Sequence, residues 1–164
     1  MLVPNDTAGY DYGKLVKTLI NAVNELSGGL QLIESSSGGE QPEYPFCQYT
    51  ITSPYIAISP DIVEGEQFEI VISLTWRALS GHQALNLANI TNKYFRSQKG
   101  RFFMQENGGI VVVSVQNSGL RDTFISIEYE RSAGIDLRLR VVDSYSSEIQ
   151  EIDNISFTNE NLGG

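Results

Sequence analysis

The chain has little of the chemistry on which small enzymes depend. Its 164 residues include one cysteine, Cys47, one histidine, His82, and one tryptophan, Trp76. A single cysteine excludes an internal disulfide, and with a reducing compartment the triplet Asn89-Ile90-Thr91 carries no glycosylation meaning. No apolar run approaches the roughly 18 residues of a membrane-spanning helix. The opening MLVPNDTAGYDYGK lacks the basic start and apolar run of a secretion signal, so a cytosolic compartment is expected. HExxH, CxxC and GxSxG patterns are missing, as is a glycine-rich loop ending in Lys-Ser/Thr. Cys47, between Phe46 and Gln48 in an extended stretch, reads as a small core residue. His82 opens a helix and is expected at the surface, and nothing in the order of residues brings it to Cys47 as a nucleophilic pair. Carboxylates are plentiful, but no pair is singled out as a glycosidase dyad and no DxDxDG-type loop appears. Neither a cofactor nor a metal is expected. Tyr44, Tyr49, Tyr55 and Trp76 could line a ligand pocket, although aromatic residues in strands are mostly core.

Basic residues are also scarce. Eleven Lys and Arg face twenty Asp and Glu, a net charge of −9. The balance is −7 over residues 1–66, +3 over 67–122 and −5 over 123–164. Tight wrapping of nucleic acid needs clustered cations, which such a chain does not supply. An acidic surface does suit a passage through which DNA slides without sticking.

Hydrophobic residues make up 41% of the chain, enough for a folded domain, expected over residues 1–145 with an acidic extension over 146–164. Leu15, Leu19, Val23 and Leu26 recur at helical spacing and Gly28-Gly29 ends the helix. LQLIES, residues 30–35, could form a short strand, and 35–45 is loop chemistry. FCQYTITSPYIAIS, residues 46–59, is extended, with Pro54 arguing for an edge strand or a bend between two short ones. In FEIVISLTWR, residues 68–77, one face carries Phe68, Ile70, Ile72, Leu74 and Trp76, the other Glu69, Ser73, Thr75 and Arg77. Ser80 and Gln83 form a capping box for a second helix to about Ser97, with Ala84, Leu87, Ala88, Thr91 and Phe95 on its core face. Lys93, Arg96 and Lys99 near its end either complement the helix dipole or form a basic docking patch. GIVVVSVQN, residues 109–117, reads as a central strand.

Residues 121–143, RDTFISIEYERSAGIDLRLRVVD, alternate as a sheet does but charge one whole face. With Ser132-Ala133-Gly134 as a turn, Ile125 faces Val141, Ile127 faces Leu139 and Tyr129 faces Leu137. Glu128 then meets Arg138, Ser126 meets Arg140 and Glu130 meets Asp136. The charged face is either simply solvated, with each pair contributing at most about 1 kcal/mol, or it meets another subunit and sets register.

The order of these segments carries a resemblance. A leading helix is followed by YPFCQYTITSPY, FEIVISLTW, a helix ending NKYFRS, and ENGGIVVVSVQNSGLRDTFISIEYERSAGIDLRLRV. Over roughly residues 12–145 this resembles the neck or tail terminator proteins of tailed bacteriophages, most specifically in Arg121-Asp122-Thr123, Glu128-Tyr129-Glu130-Arg131, Asp136, Arg138 and Arg140. The resemblance implies an α+β subunit, a mainly antiparallel sheet flanked by two helices. It implies a homohexameric ring in the virion neck, assembled in the host bacterial cytoplasm. The ring would cap the tail tube, end its polymerisation and meet the head connector or stopper. DNA would be only passing cargo, with neither catalysis nor membrane involved. Arg121, Asp122, Glu128, Glu130, Arg131, Asp136, Arg138 and Arg140 are the expected subunit or partner contacts. Another virion subunit, of tube or connector type, and a small-ligand-binding domain are the alternatives.

Overall fold

The computed structural model describes residues 9–61, 63–124 and 129–144. Among the described residues, three helices, α1 (Tyr12–Ser27), α2 (Gly81–Arg96) and α3 (Gln98–Gly108), accompany five strands: β1 (Leu32–Glu34), β2 (Phe46–Ala57), β3 (Gln67–Ala78), β4 (Val111–Leu120) and β5 (Arg131–Val142). The strands form one sheet in the order β1-β2-β3-β5-β4. β1 runs parallel to β2 and the other neighbours are antiparallel. This is an α+β fold.

The alternation in β3 dictates where the core lies. Phe68, Ile70, Ile72, Leu74 and Trp76 are all fully buried. Opposite them in β5 stand Val141, Leu139, Leu137, Ile135 and Ala133, also buried. Cross-strand partners share a face, so the two strands present one apolar surface, on which the helices pack. Burying each large side chain contributes roughly 1.5–3 kcal/mol. Helix α1 adds Leu15, Leu19 and Val23 from one stripe. Its start is fixed by Asp11, whose carboxylate accepts from the Lys14 amide at 3.1 Å, and its end by Gly28 at φ 73°, where only glycine is unstrained. From α2, Thr91 accepts a hydrogen bond from the Trp76 indole at 2.8 Å, which satisfies the one polar atom of the largest core side chain.

Several expectations are corrected. Residues 121–143 are not a hairpin. Ser132, Ala133 and Gly134 lie inside β5, which pairs with β3 on one side and β4 on the other. The long-range apolar match between β3 and β5 outweighs the local turn signal. Val141 faces Phe68, Leu139 faces Ile70 and Leu137 faces Ile72, and Tyr129 is exposed. Ile125, Ser126 and Ile127, expected to pair with Val141, Arg140 and Leu139, lie outside the described residues. β4 is an edge strand, not a central one, because β5 takes the place beside β3. β2 is one strand, with register shifts between Ile51 and Ile56 around Pro54. β1 covers it only from Cys47 to Tyr49, so Pro54 does lie where β2 is an edge. Ser80 precedes α2 as N-cap, but its side chain makes no capping bond.

The third helix was hidden by its composition. QKGRFFMQENG buries only Gly100 and Met104, too few apolar positions to show a period. Ser97 joins α2 to α3: its hydroxyl donates to the Tyr94 carbonyl at 2.6 Å and accepts from the Gly100 amide at 3.1 Å. A Cβ on Gly100 would sit 2.0 Å from that carbonyl, so the corner closes only around glycine.

Candidate functional site: the charged face of the sheet

The face of the sheet away from the core carries Glu69, Ser73, Thr75 and Arg77 from β3, and Ser132, Asp136, Arg138 and Arg140 from β5. Four ion-paired clusters are built on and beside it. In the first, Glu69 stands directly opposite Arg140 with Arg138 on the diagonal. Its carboxylate accepts from Arg138 Nε at 2.7 Å and from Arg140 Nη2 at 3.0 Å. The Glu69 side chain is only 8% exposed, whereas those of Arg138 and Arg140 are 37% and 42% exposed.

The second cluster centres on Arg121. Its guanidinium lies 2.9 Å from Asp136, and it donates to Thr75 Oγ1 at 3.0 Å and to Ser73. Asn117, a non-glycine residue at φ 53°, completes the site by donating to the second Asp136 oxygen at 2.7 Å. To reach β3 from the loop after β4, Arg121 must cross β5, and it does so over Gly134. A Cβ there would stand 2.9 Å from Arg121 Nη1 and 2.1 Å from the Leu74 carbonyl oxygen.

In the third, Arg77 donates to Glu130 at 3.1 Å, to the Ser132 hydroxyl at 2.7 Å and to Gln48 at 3.0 Å. The Tyr44 hydroxyl donates to the other Glu130 oxygen at 2.7 Å. In the fourth, Arg131 pairs with Asp122 at 2.9 Å while the Ser132 amide donates to the same carboxylate at 2.7 Å.

Of the expected contacts, Asp136, Arg138 and Arg140 stand on this face, and Arg121, Asp122 and Glu130 reach it or its edge. Arg131 lies beside Gly81 at the start of α2. Their pairing differs from the hairpin scheme. Arg138 and Arg140 meet Glu69, Asp136 meets Arg121, and Glu130 meets Arg77. Glu128 lies outside the described residues. Glu69, the hub of the first cluster, was marked only as polar in the β3 pattern. Its position beside an arginine-bearing strand becomes visible only once β5 is placed next to β3. Tyr44 on this face and Trp76 in the core do not converge on a ligand pocket. His82 is exposed. Burial pushes the Cys47 thiol up, which keeps it protonated and unreactive. Among the described residues no group of three His, Cys, Asp or Glu is placed to hold a metal.

The clusters shift their acids. Burial raises the Glu69 carboxyl, but hydrogen bonds and charge from Arg138 and Arg140 overcome it and hold it below its ordinary 4.5. For Asp122 the Arg131 bond leads, and for Asp136 the bonds from Asn117, Ser73 and Arg121 outweigh burial, so both lie below 3.8. Carboxylates depressed by folding stabilise the protein above their unfolded pKa, and that contribution is lost as pH falls through the folded values. Urea midpoints should therefore hold steady down to about pH 5 and fall below about pH 4.5. The fall should be shallower in Asp136→Asn, measured relative to its own plateau.

With the geometry in view, the comparison with known proteins decides the family. Residues 14–163 match the model of the phage neck terminator proteins. The chain belongs to that family. The match reaches well past residue 145, into the acidic segment that the sequence resemblance left aside. No curated protein matches the chain. A solved structure with 14% identity covers 83% of this chain and 95% of its own at a TM-score of 0.51, a likeness of fold alone. A neck terminator is a structural component of the bacteriophage virion, at the junction of head and tail, where it meets other head and tail proteins. The charged sheet face, with its four ion-paired clusters, is the candidate contact surface among the described residues.

Proposed function

We propose that this terminator assembles as a six-membered ring on the head-proximal end of the tail tube. There it ends tube polymerisation and offers its opposite surface to the head connector, with DNA passing through the lumen. Assembly takes place in the host bacterial cytoplasm. Residues 1–145 act as the ring-forming domain and 146–164 as an extension of it.

The observation that carries this reading is the first cluster. Glu69 is almost buried, yet Arg138 and Arg140 keep over a third of their side chains exposed. An arginine fixed by one carboxylate still has free donors in its planar fork. Two such forks, held in place by the sheet, form a preorganised receptor for acids of a neighbouring subunit. A ring uses heterologous contacts, in which one patch meets a different patch of the next copy. Ion pairs at such a contact add little net stability but penalise wrong registers. Arg121 and Asp122, at the start of the connection to β5, flank the same face.

Light scattering on size-exclusion fractions, with negative-stain images of the protein alone and mixed with purified tail tubes, tests this. Closed six-membered rings, free or on tube ends, are expected. Long tubes of the protein itself would make it a tube subunit, and a monomer that leaves tube ends bare would overturn the proposal.

A further inference from the structure

The helical side of the molecule has its own unused surface. Residues 81–108, which span α2 and α3, carry Lys93, Arg96, Lys99 and Arg101 against the single acid Glu106, a balance of +3. Lys99 is paired with Glu25. Lys93, Arg96 and Arg101 form no ion pair among the described residues and are exposed. Arg96, Arg101 and Phe102, with Gln98 and Gln105, line an open hollow of about 430 Å³, and Phe102 is 60% exposed in it. Cations placed only to complement a helix dipole would not need an exposed aromatic ring in the same hollow. An exposed phenyl ring lining the same hollow as two arginines fits a segment that is both acidic and apolar.

The chain contains one such segment. Residues 145–164 carry Glu148, Glu151, Asp153 and Glu160 with no base, a balance of −4, and interleave them with Ile149, Ile152, Ile155 and Phe157. Without these two regions the rest of the chain sums to −8, so the basic hollow stands out against a predominantly acidic remainder. The last described residue, Ser144, lines a hollow together with Gly108 and Gly109 at the end of α3. From Gly108 back to Arg101 is seven residues, about 10 Å along a helix. Twenty extended residues span up to roughly 66 Å, so the reach is ample. A tether this short holds its segment at an effective concentration on the order of millimolar.

We propose that residues 145–164 dock on the basic hollow of Arg96, Arg101 and Phe102 on the α2–α3 side of the same chain. The acidic segment then covers the cationic surface, which would otherwise attract phosphate, and leaves the charged sheet face free for other contacts. This rests on no assumption about the ring.

A glutamate-specific protease acting on the full-length protein provides the test, with the free 145–164 peptide as the rate standard. Cleavage at Glu148 and Glu151 should be at least about fivefold slower than in the peptide at low salt, since cutting tracks the open population. The protection should fade toward 1 M salt, where the Debye length is about 3 Å. It should be lost in Arg96→Glu/Arg101→Glu and, through loss of the exposed apolar ring, reduced in Phe102→Ser. Both variants change exposed residues, and an unchanged circular-dichroism melt confirms the fold. Cleavage at the free-peptide rate in the unaltered protein, or protection that neither variant alters, overturns the proposal. Protection that appears only as protein concentration rises places the segment on a neighbouring copy and overturns docking within the chain.

Discussion

Gly134→Val is expected to lower stability by about 3 kcal/mol or more, the upper range for forcing atoms into a packed interior. The residue sits in an extended strand, so the reason is not backbone freedom. Its missing side chain leaves the channel through which Arg121 crosses β5 to reach Thr75 and Asp136. A Cβ would stand 2.1 Å from the Leu74 carbonyl, which requires β3 and β5 to part. The same displacement would strand the Asp136 carboxylate, and losing one partner of a largely buried pair is costly. Urea titration should show a lower midpoint, or failure to fold. The Arg121→Ala/Gly134→Ala double variant should recover none of the loss, because the clash with the Leu74 backbone remains. A Gly134→Val protein with unchanged stability would show that the strands are more widely spaced than described.

Arg138→Glu is expected to separate folding from assembly. It places a second carboxylate near Glu69, which still keeps its bond to Arg140 at 3.0 Å. The pair is partly exposed, so solvent screens the repulsion and the cost to the monomer should be about 1 kcal/mol. That corresponds to a fall in melting temperature of about 2–4 °C for a chain of this size. At the ring contact the same change replaces a cation with an anion facing a neighbour's acids. Assembly should weaken at least about tenfold, since each factor of ten is 1.4 kcal/mol. Light scattering across a concentration series reads this directly. A ring of unchanged mass at every concentration would remove Arg138 from the interface.

Much of the fold was legible wherever one side-chain period ran unbroken. The β3 alternation, the α1 stripe with its glycine stop and the core face of α2 all appear in the structure as read. Local patterns failed where tertiary pairing decided the outcome. Ser-Ala-Gly at 132–134 looks like a turn in isolation, but the glycine is needed for the passage of an arginine thirteen residues earlier. β4 has the apolar composition of an inner strand and stands at the edge, because β5 has the better apolar match to β3. The chemical character of the candidate site was visible as a charged strand face, while its wiring was not. Opposite charges at Arg138, Arg140, Asp136 and Glu130 can be paired in many ways from sequence, and only the sheet order selects Glu69, Arg121 and Arg77 as their partners. The α2–α3 corner was illegible for another reason: Gly100 acts through its missing side chain and Ser97 through a capping hydroxyl, neither of which leaves a hydrophobic period to read.

The claim that this chain terminates a tail tube is tested most directly on growing tubes. Tail tube protein from the same phage would be polymerised with increasing amounts of this chain and tube lengths measured by negative stain. The account predicts that tubes stop elongating at amounts far below one copy per tube subunit, with density capping one end. Tubes of unchanged length and bare ends, at any ratio, would contradict it.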